Sequence, residues 1–135
     1  MGKHVSCIIA TKNEERVIKT LLSSIKTQSC KNFEIVLVDN YSTDKTRQIA
    51  EAFPARVFDK GPERSVQRNY GVDKSKGEYV LILDADMILS GDVLKECISK
   101  VIEDPKLEAL VIPEVSFGRG MWVKFKIFER ELYLG

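Results

Sequence analysis

The sequence predicts an open, mostly parallel α/β sheet with helices on both faces. Three observations carry this. Short apolar runs rich in β-branched residues recur along the chain, stretches of helical periodicity separate them, and each of the clearest runs ends on polar side chains. A strand–helix alternation of this kind pairs strands in parallel through crossover helices.

The elements follow in order. Residues 5–11 (VSCIIAT) form a buried strand. After polar Lys12 to Glu15, Val17, Leu21, Leu22 and Ile25 recur at helical spacing. Residues 33–39 (FEIVLVD) are the second strand. Ser42 and Thr43 are read as caps of a helix carrying Ile49, Ala50 and Phe53 and stopped by Pro54. Arg56 to Asp59 suit a short third strand. Gly61-Pro62 opens a helix to about Lys74, with Pro62 in its first turn. Residues 78–84 (EYVLILD) are a further strand. Ser90 precedes a helix with Val93, Leu94, Cys97, Ile98, Val101 and Ile102 on one face, and Leu107 to Pro113 read as another strand. Met121, Trp122, Phe125, Phe128 and Leu132 make an amphipathic stripe, read as a helix over 114–135.

The chain has 135 residues, enough for one core. Residues 1–113 are assigned to one α/β unit and 114–135 to the start of a second region. Lys plus Arg number 21 against 20 Asp plus Glu, a net charge of +1, so there is no long-range pull toward nucleic acid and any anion site must be local. Cys7, Cys30 and Cys97 show no metal-ligand spacing. A reduced, cytoplasmic compartment is the expectation. The sequon Asn40-Tyr41-Ser42, with no signal peptide ahead of it, carries no weight. No apolar run approaches the roughly 20 residues of a membrane span.

In a parallel α/β sheet, ligands bind beyond the carboxyl ends of the strands. There the sequence places Thr11-Lys12-Asn13-Glu14, Asp39-Asn40 and Asp84-Ala85-Asp86. In an extended segment Asp84 and Asp86 project to the same side. Paired carboxylates suit Mg²⁺ or Mn²⁺ completed by phosphate oxygens and water. Each residue also has a purely structural reading. Asp39 and Asp84 could cap the turns that follow them. Thr11 and Glu14 stand at capping-box spacing. Arg68, among Arg64, Gln67 and Lys74, could be a solvated helix face; as an alternative, it pairs with an acidic, phosphate-bearing edge. His4, the only histidine, precedes the first strand, away from this edge, and is read as structural.

Taken together, these residues resemble the GT-A glycosyltransferases of the large family that includes dolichyl-phosphate mannose synthases. Residues 8–14 (IIATKNE), 38–44 (VDNYSTD), 68–71 (RNYG) with 77–79 (GEY), and Asp84-Ala85-Asp86 match the family's segments in order, over nearly the whole chain. Ala10 and Lys12 depart from it, standing where Pro and Tyr are usual. The resemblance implies inverting, metal-dependent transfer of a sugar from a nucleoside diphosphate sugar. It implies nucleotide contacts from Thr11, Glu14, Asp39, Arg68 and Asp84, and metal ligation by Asp86 and Asp84, with Mg²⁺ or Mn²⁺ as cofactor. The acceptor class stays open among saccharide, protein and polyprenyl phosphate. The family's catalytic carboxylate, on a later helix, has no counterpart before Gly135, so the chain is expected to be a donor-binding portion cut short. Its terminal stripe is expected to favour self-association or the inner membrane surface. Two other readings are weighed. A nucleotidyltransferase wants a glycine-rich, basic loop where Asn13-Glu14-Glu15 stands. A receiver module would use Glu14, Glu15 and Asp39 as an acidic phosphoacceptor pocket, but Pro113-Glu114 replaces its Lys.

Overall fold

A computed structural model describes residues 4–110, 114–117 and 120–123. Its main sheet has four parallel strands in the order β3-β2-β1-β4. These are β1 (Val5–Thr11), β2 (Phe33–Asp39), β3 (Ala55–Asp59) and β4 (Tyr79–Asp84). Strand β1 is central and buried along its whole length, which is why it reads as an unbroken apolar run instead of an alternating one.

Successive strand residues point to opposite faces, and the two faces acquire different covers. Cys7, Ile9, Ile35, Leu37 and Leu83 pack under α1 (Ile18–Lys26), α2 (Thr46–Glu51) and α4 (Val93–Glu103). Leu21, Leu22 and Ile25 of α1 are fully buried there, and burial of such a side chain is worth about 1.5–3 kcal/mol. On the opposite face Ile8, Val36 and Val38 meet Phe58 and Tyr70, the latter from α3 (Arg64–Lys74). Gly71 lets α3 come this close: a Cβ there would lie 2.6 Å from Ile8 Cγ2. The expectation of a parallel sheet with helices on both faces holds.

A second, three-stranded sheet contains β5 (Met87–Leu89), β7 (Gly120–Val123) and β6 (Glu114–Phe117), with β7 in the middle. This corrects the helix expected over 114–135. Residues 114–117 and 120–123 are strands, because β6 and β7 pair with each other and β7 pairs with β5. These ladder bonds decide the conformation over local periodicity. The rest of that stripe, with Phe125, Phe128 and Leu132, lies outside the described residues.

Other boundaries shift for local reasons. Leu107–Leu110 is not a strand: Leu107 N–H is held in a turn by the Asp104 carbonyl, and the segment folds over an apolar cavity between β4 and α4. Residues 111–113 of the expected strand lie outside the described residues. Helix α3 starts at Arg64, two residues after Pro62, so Pro62 precedes the first turn. Helix α2 ends at Glu51, leaving Phe53 beyond it, and Ser42 and Thr43 do not cap it. His4 bonds Asn32 Oδ1 through Nδ1 at 2.9 Å, at the amino end of the sheet, which is a structural role.

Candidate nucleotide site at the carboxyl edge of the sheet

Register alone brings three distant segments together. Thr11 pairs with Asp39 across β1–β2, and Ala10 pairs with Asp84 across β1–β4. The chain runs outward from β1 through β2 to β3, then returns to the other side of β1 as β4. The β1–β4 junction is therefore a topological switch point, where the flanking connections diverge and leave a crevice.

At the β1–β2 side the site is built by hydrogen bonds. Thr11 Oγ1 donates to Asp39 Oδ1 at 2.6 Å. Ser42 Oγ donates to the same oxygen at 2.6 Å, and Ser42 N–H donates to Oδ2 at 2.8 Å. Asp39 is only 1% exposed, and a buried carboxylate is tolerated when its lone pairs are filled in this way. The turn-holding reading of Asp39 is thus realised in the structure. Gln67, buried on α3, donates its amide to the carbonyls of Thr11 (2.9 Å) and Val38 (2.8 Å), fixing the spacing of the two strand ends.

The loops after β1 and β2 are also laced to each other. Asn13 N–H donates to Ser42 Oγ, Thr43 N–H to Asn13 Oδ1, and Glu14 N–H to Thr46 Oγ1. Lys12 Nζ donates to the carbonyls of Asn40 and Tyr41 at 2.7 and 3.2 Å. Asn13 and Tyr41 both take positive φ, 53° and 47°, an uncommon state for residues other than glycine that is sustained here by these bonds. No capping box forms: Thr11 is spent on Asp39, and α1 begins only at Ile18.

The β1–β4 side is charged. Arg68 Nη2 donates to Asp84 Oδ1 at 2.6 Å, and Arg64 Nη1 stands 3.9 Å from the same oxygen. The strand ends at Asp84 and the chain turns at Ala85-Asp86, so Asp84 and Asp86 are not two positions of one extended strand as expected. They still converge on Glu14. Its carboxyl lies above the ordinary value of 4.5, through partial burial first and then repulsion from Asp86, which Arg64 opposes; Asp44 and Asp84 add repulsion. Glu14, Asp84, Asp86, Arg64 and Arg68 therefore form one electrostatic cluster.

This donor set can be tested against a divalent cation. Among the described residues no three His, Cys, Asp or Glu side chains gather as a self-sufficient metal cage. Mg²⁺ and Mn²⁺ do not need one when phosphate oxygens complete the shell. Exposed Asp86 and half-exposed Asp84 meet that requirement. The apolar cavity lies elsewhere, near the opposite end of β1 and β4, and is lined by Val5, Tyr79, Leu94, Cys97 and Leu107 among others. It lacks the donors a diphosphate would need.

All five residues expected to contact a nucleotide, Thr11, Glu14, Asp39, Arg68 and Asp84, lie on this edge with Asp86. The sequence reading missed the work of Gln67, Lys12 and Ser42. The Asp39-x-x-Ser42 spacing signals a side-chain-closed turn. Gln67 and Gly71, four apart on α3, mark the one face where a helix presses on a sheet.

The fold is that of a GT-A type α/β unit, and comparison with known proteins agrees. The model of "Glycosyl transferase family 2" matches residues 6–133. This chain belongs to that family. It is 32% identical over 127 residues to the poly(ribitol-phosphate) beta-N-acetylglucosaminyltransferase TarS of Staphylococcus aureus, covering 86% of this chain and 22% of that protein. A PGL/p-HBAD biosynthesis glycosyltransferase of Mycobacterium tuberculosis is 39% identical over 88 residues, 60% of this chain and 34% of that one. The chain thus spans about a fifth to a third of these relatives. Among solved structures, TarS 1–349 with UDP-GlcNAc matches at TM-score 0.68 and 32% identity, over 74% of this chain and 31% of that one. The mannosyltransferase PcManGT of Pyrobaculum calidifontis, with GDP-Man and Mn²⁺, matches at TM-score 0.71 and 27% identity, over 84% and 36%.

Proposed function

We propose that this chain supplies the donor-binding part of a metal-dependent, inverting glycosyltransferase acting on a nucleoside diphosphate sugar. The observation that carries the proposal is the Arg68–Asp84 pair, set beside Asp86 and Glu14 at the β1–β4 switch point. The donor-bound neighbours support it, since solved structures similar to this chain hold UDP-GlcNAc or GDP-Man.

In this reading the base and ribose lie over β1 and β2, lined by Thr11 and Glu14. Among the described residues Asp39 Oδ2 accepts only from Ser42 N–H, which leaves acceptor capacity for a base N–H or ribose hydroxyl. Asp84, held by Arg68, would face the ribose or the metal, and Asp86 would hold Mg²⁺ or Mn²⁺ directly. When bound, the metal supplies Lewis-acid neutralisation of the departing diphosphate. Inversion follows from a single displacement, the acceptor oxygen attacking the anomeric carbon on the face opposite the diphosphate. The acceptor is a saccharide, protein or polyprenyl phosphate, and its site is assigned to the region starting at 114. Cytoplasmic residence, at the inner membrane face for a lipid-linked acceptor, belongs to the same proposal, with subcellular fractionation as its check.

The receiver reading is displaced by the family itself, whose model matches residues 6–133. A thermal-shift panel of UDP, GDP, CDP and dTDP sugars, with and without Mn²⁺, tests the proposal. Stabilisation by one base class, larger with Mn²⁺, is expected; no shift with any of them contradicts it.

A further inference from the structure

Two arginines of α3 face one carboxylate oxygen, and they do not do so equally. Arg68 closes a 2.6 Å charge-assisted bond on Asp84 Oδ1, while Arg64 stops at 3.9 Å, beyond hydrogen-bond reach. The Arg64 side chain makes no hydrogen bond among the described residues and is 62% exposed. A guanidinium carries five N–H donors in a planar fork, so nearly all of Arg64's bonding capacity is turned to the crevice unspent.

Its location narrows what that capacity is for. Arg64 acts on Asp84, at the end of β4, and on Glu14, in the loop after β1. Its charge thus acts on groups from both walls of the β1–β4 crevice, with the 3.9 Å approach to Asp84 placing it at the β4 side. Lys12, another cation on this edge, commits its ammonium to the carbonyls of Asn40 and Tyr41. Arg68 already spends its Nη2 on Asp84, and its Nε is shielded from solvent with no hydrogen-bond partner among the described residues. The crevice is otherwise lined by Glu14, Asp84 and Asp86, which would repel a polyanion. A phosphate chain entering here needs a mobile cation with free donors, and Arg64 fits both requirements.

We propose that Arg64 grips the phosphate groups of the donor, its guanidinium leaving the loose contact with Asp84 to form a forked pair of hydrogen bonds on phosphate oxygens. The assignment rests on the nucleotide-sugar reading and adds to it a residue that discriminates diphosphate from nucleoside. Arg64 senses the phosphates, while Thr11 and Asp39 sense the base and ribose.

The experiment is calorimetric titration of the unmodified chain, Arg64→Ala and Arg64→Lys with UDP, GDP, uridine and guanosine, in EDTA and in Mn²⁺. Thermal denaturation serves as the folding control. For the diphosphate that binds the unmodified chain, Arg64→Ala should weaken affinity roughly 10-fold or more, as for loss of a charge-assisted pair. Affinity for the matching nucleoside should stay within about twofold, and Arg64→Lys, a point charge without the fork, should recover only part of the loss. Unchanged diphosphate affinity in Arg64→Ala, or an equal loss for nucleoside and diphosphate, overturns the assignment while leaving the donor reading standing. Failure of the unmodified chain to bind any of the four ligands overturns both.

Discussion

Arg68 and Asp84 are joined by a 2.6 Å hydrogen bond that ties the middle of α3 to the end of β4. Both side chains are more than a third exposed, so the pair adds little to stability, about 0.2–1 kcal/mol for such a bridge. In the proposed site its value lies in aiming a carboxylate at the donor. Arg68→Ala should therefore leave the denaturation midpoint nearly unchanged yet weaken nucleoside diphosphate binding roughly 10-fold. A large loss of stability with unaltered affinity would make the pair a structural brace.

Asp39 behaves in the opposite way. Its carboxylate is buried and fills the hydrogen-bonding needs of Thr11 and Ser42. Asp39→Ala leaves those donors without their partner, at a cost of roughly 1–3 kcal/mol. Urea denaturation should show that loss, and titration should show weaker nucleotide binding in the same variant. Full stability together with full affinity would remove Asp39 from both roles.

Glu14 supplies a pH signature. Its folded carboxyl is raised above the ordinary 4.5 by burial and by Asp86, so the fold favours the protonated form. The stability this contributes is complete below the unfolded value and is lost as pH rises through the folded one. Glu14→Gln should remove that loss, flattening the stability profile just above pH 4.5 relative to the unmodified chain. Identical profiles for the two proteins would contradict the crowding of Glu14 with Asp86.

Packing of α3 gives a prediction that does not depend on any ligand. A methyl group on Gly71 would meet Ile8 Cγ2 at 2.6 Å and Val38 Cγ2 at 3.3 Å. Gly71→Ala should destabilise the fold by about 1–3 kcal/mol through overpacking. It should also disturb nucleotide binding, because Gln67 and Arg68 ride on the same helix. Chemical denaturation measures the first effect and titration the second.

The thiols give a reactivity test. Burial raises Cys7 to about 12, with added repulsion from Cys97 and Glu34, and raises Cys97 to about 12, with added repulsion from Glu96. A thiol reagent at pH 8 should leave Cys7 and Cys97 unmodified in the folded chain and modify both once it is denatured. Rapid native labelling of Cys7 would show that β1 is not the buried centre of the sheet.

The parts of the fold that were legible are those in which one physical signal dominates. Strands β1, β2 and β4 are apolar runs because they are buried, and their ends carry acids because the ends meet a crevice. Position along parallel strands then brought Thr11, Asp39 and Asp84 together without any side-chain information. The turn at Ala85-Asp86 was illegible, since two residues hold no periodicity. Gln67 was hidden for another reason: a buried amide bonding two backbone carbonyls is invisible until the helix is docked on the strands. At 114–117 and 120–123 the pairing of β7 with β5 and β6 overrode a helical stripe, a tertiary decision that local pattern cannot carry.

The central claim, a metal-assisted diphosphate site at the β1–β4 edge, is tested most directly by titrating UDP and GDP into the unmodified chain and Asp86→Ala, each in Mn²⁺ and in EDTA. One of the two nucleotides should bind the unmodified chain, EDTA should weaken this binding, and Asp86→Ala in Mn²⁺ should fall to the EDTA level. Equal affinity in Mn²⁺ and EDTA, or a metal-dependent gain that survives in Asp86→Ala, would contradict it.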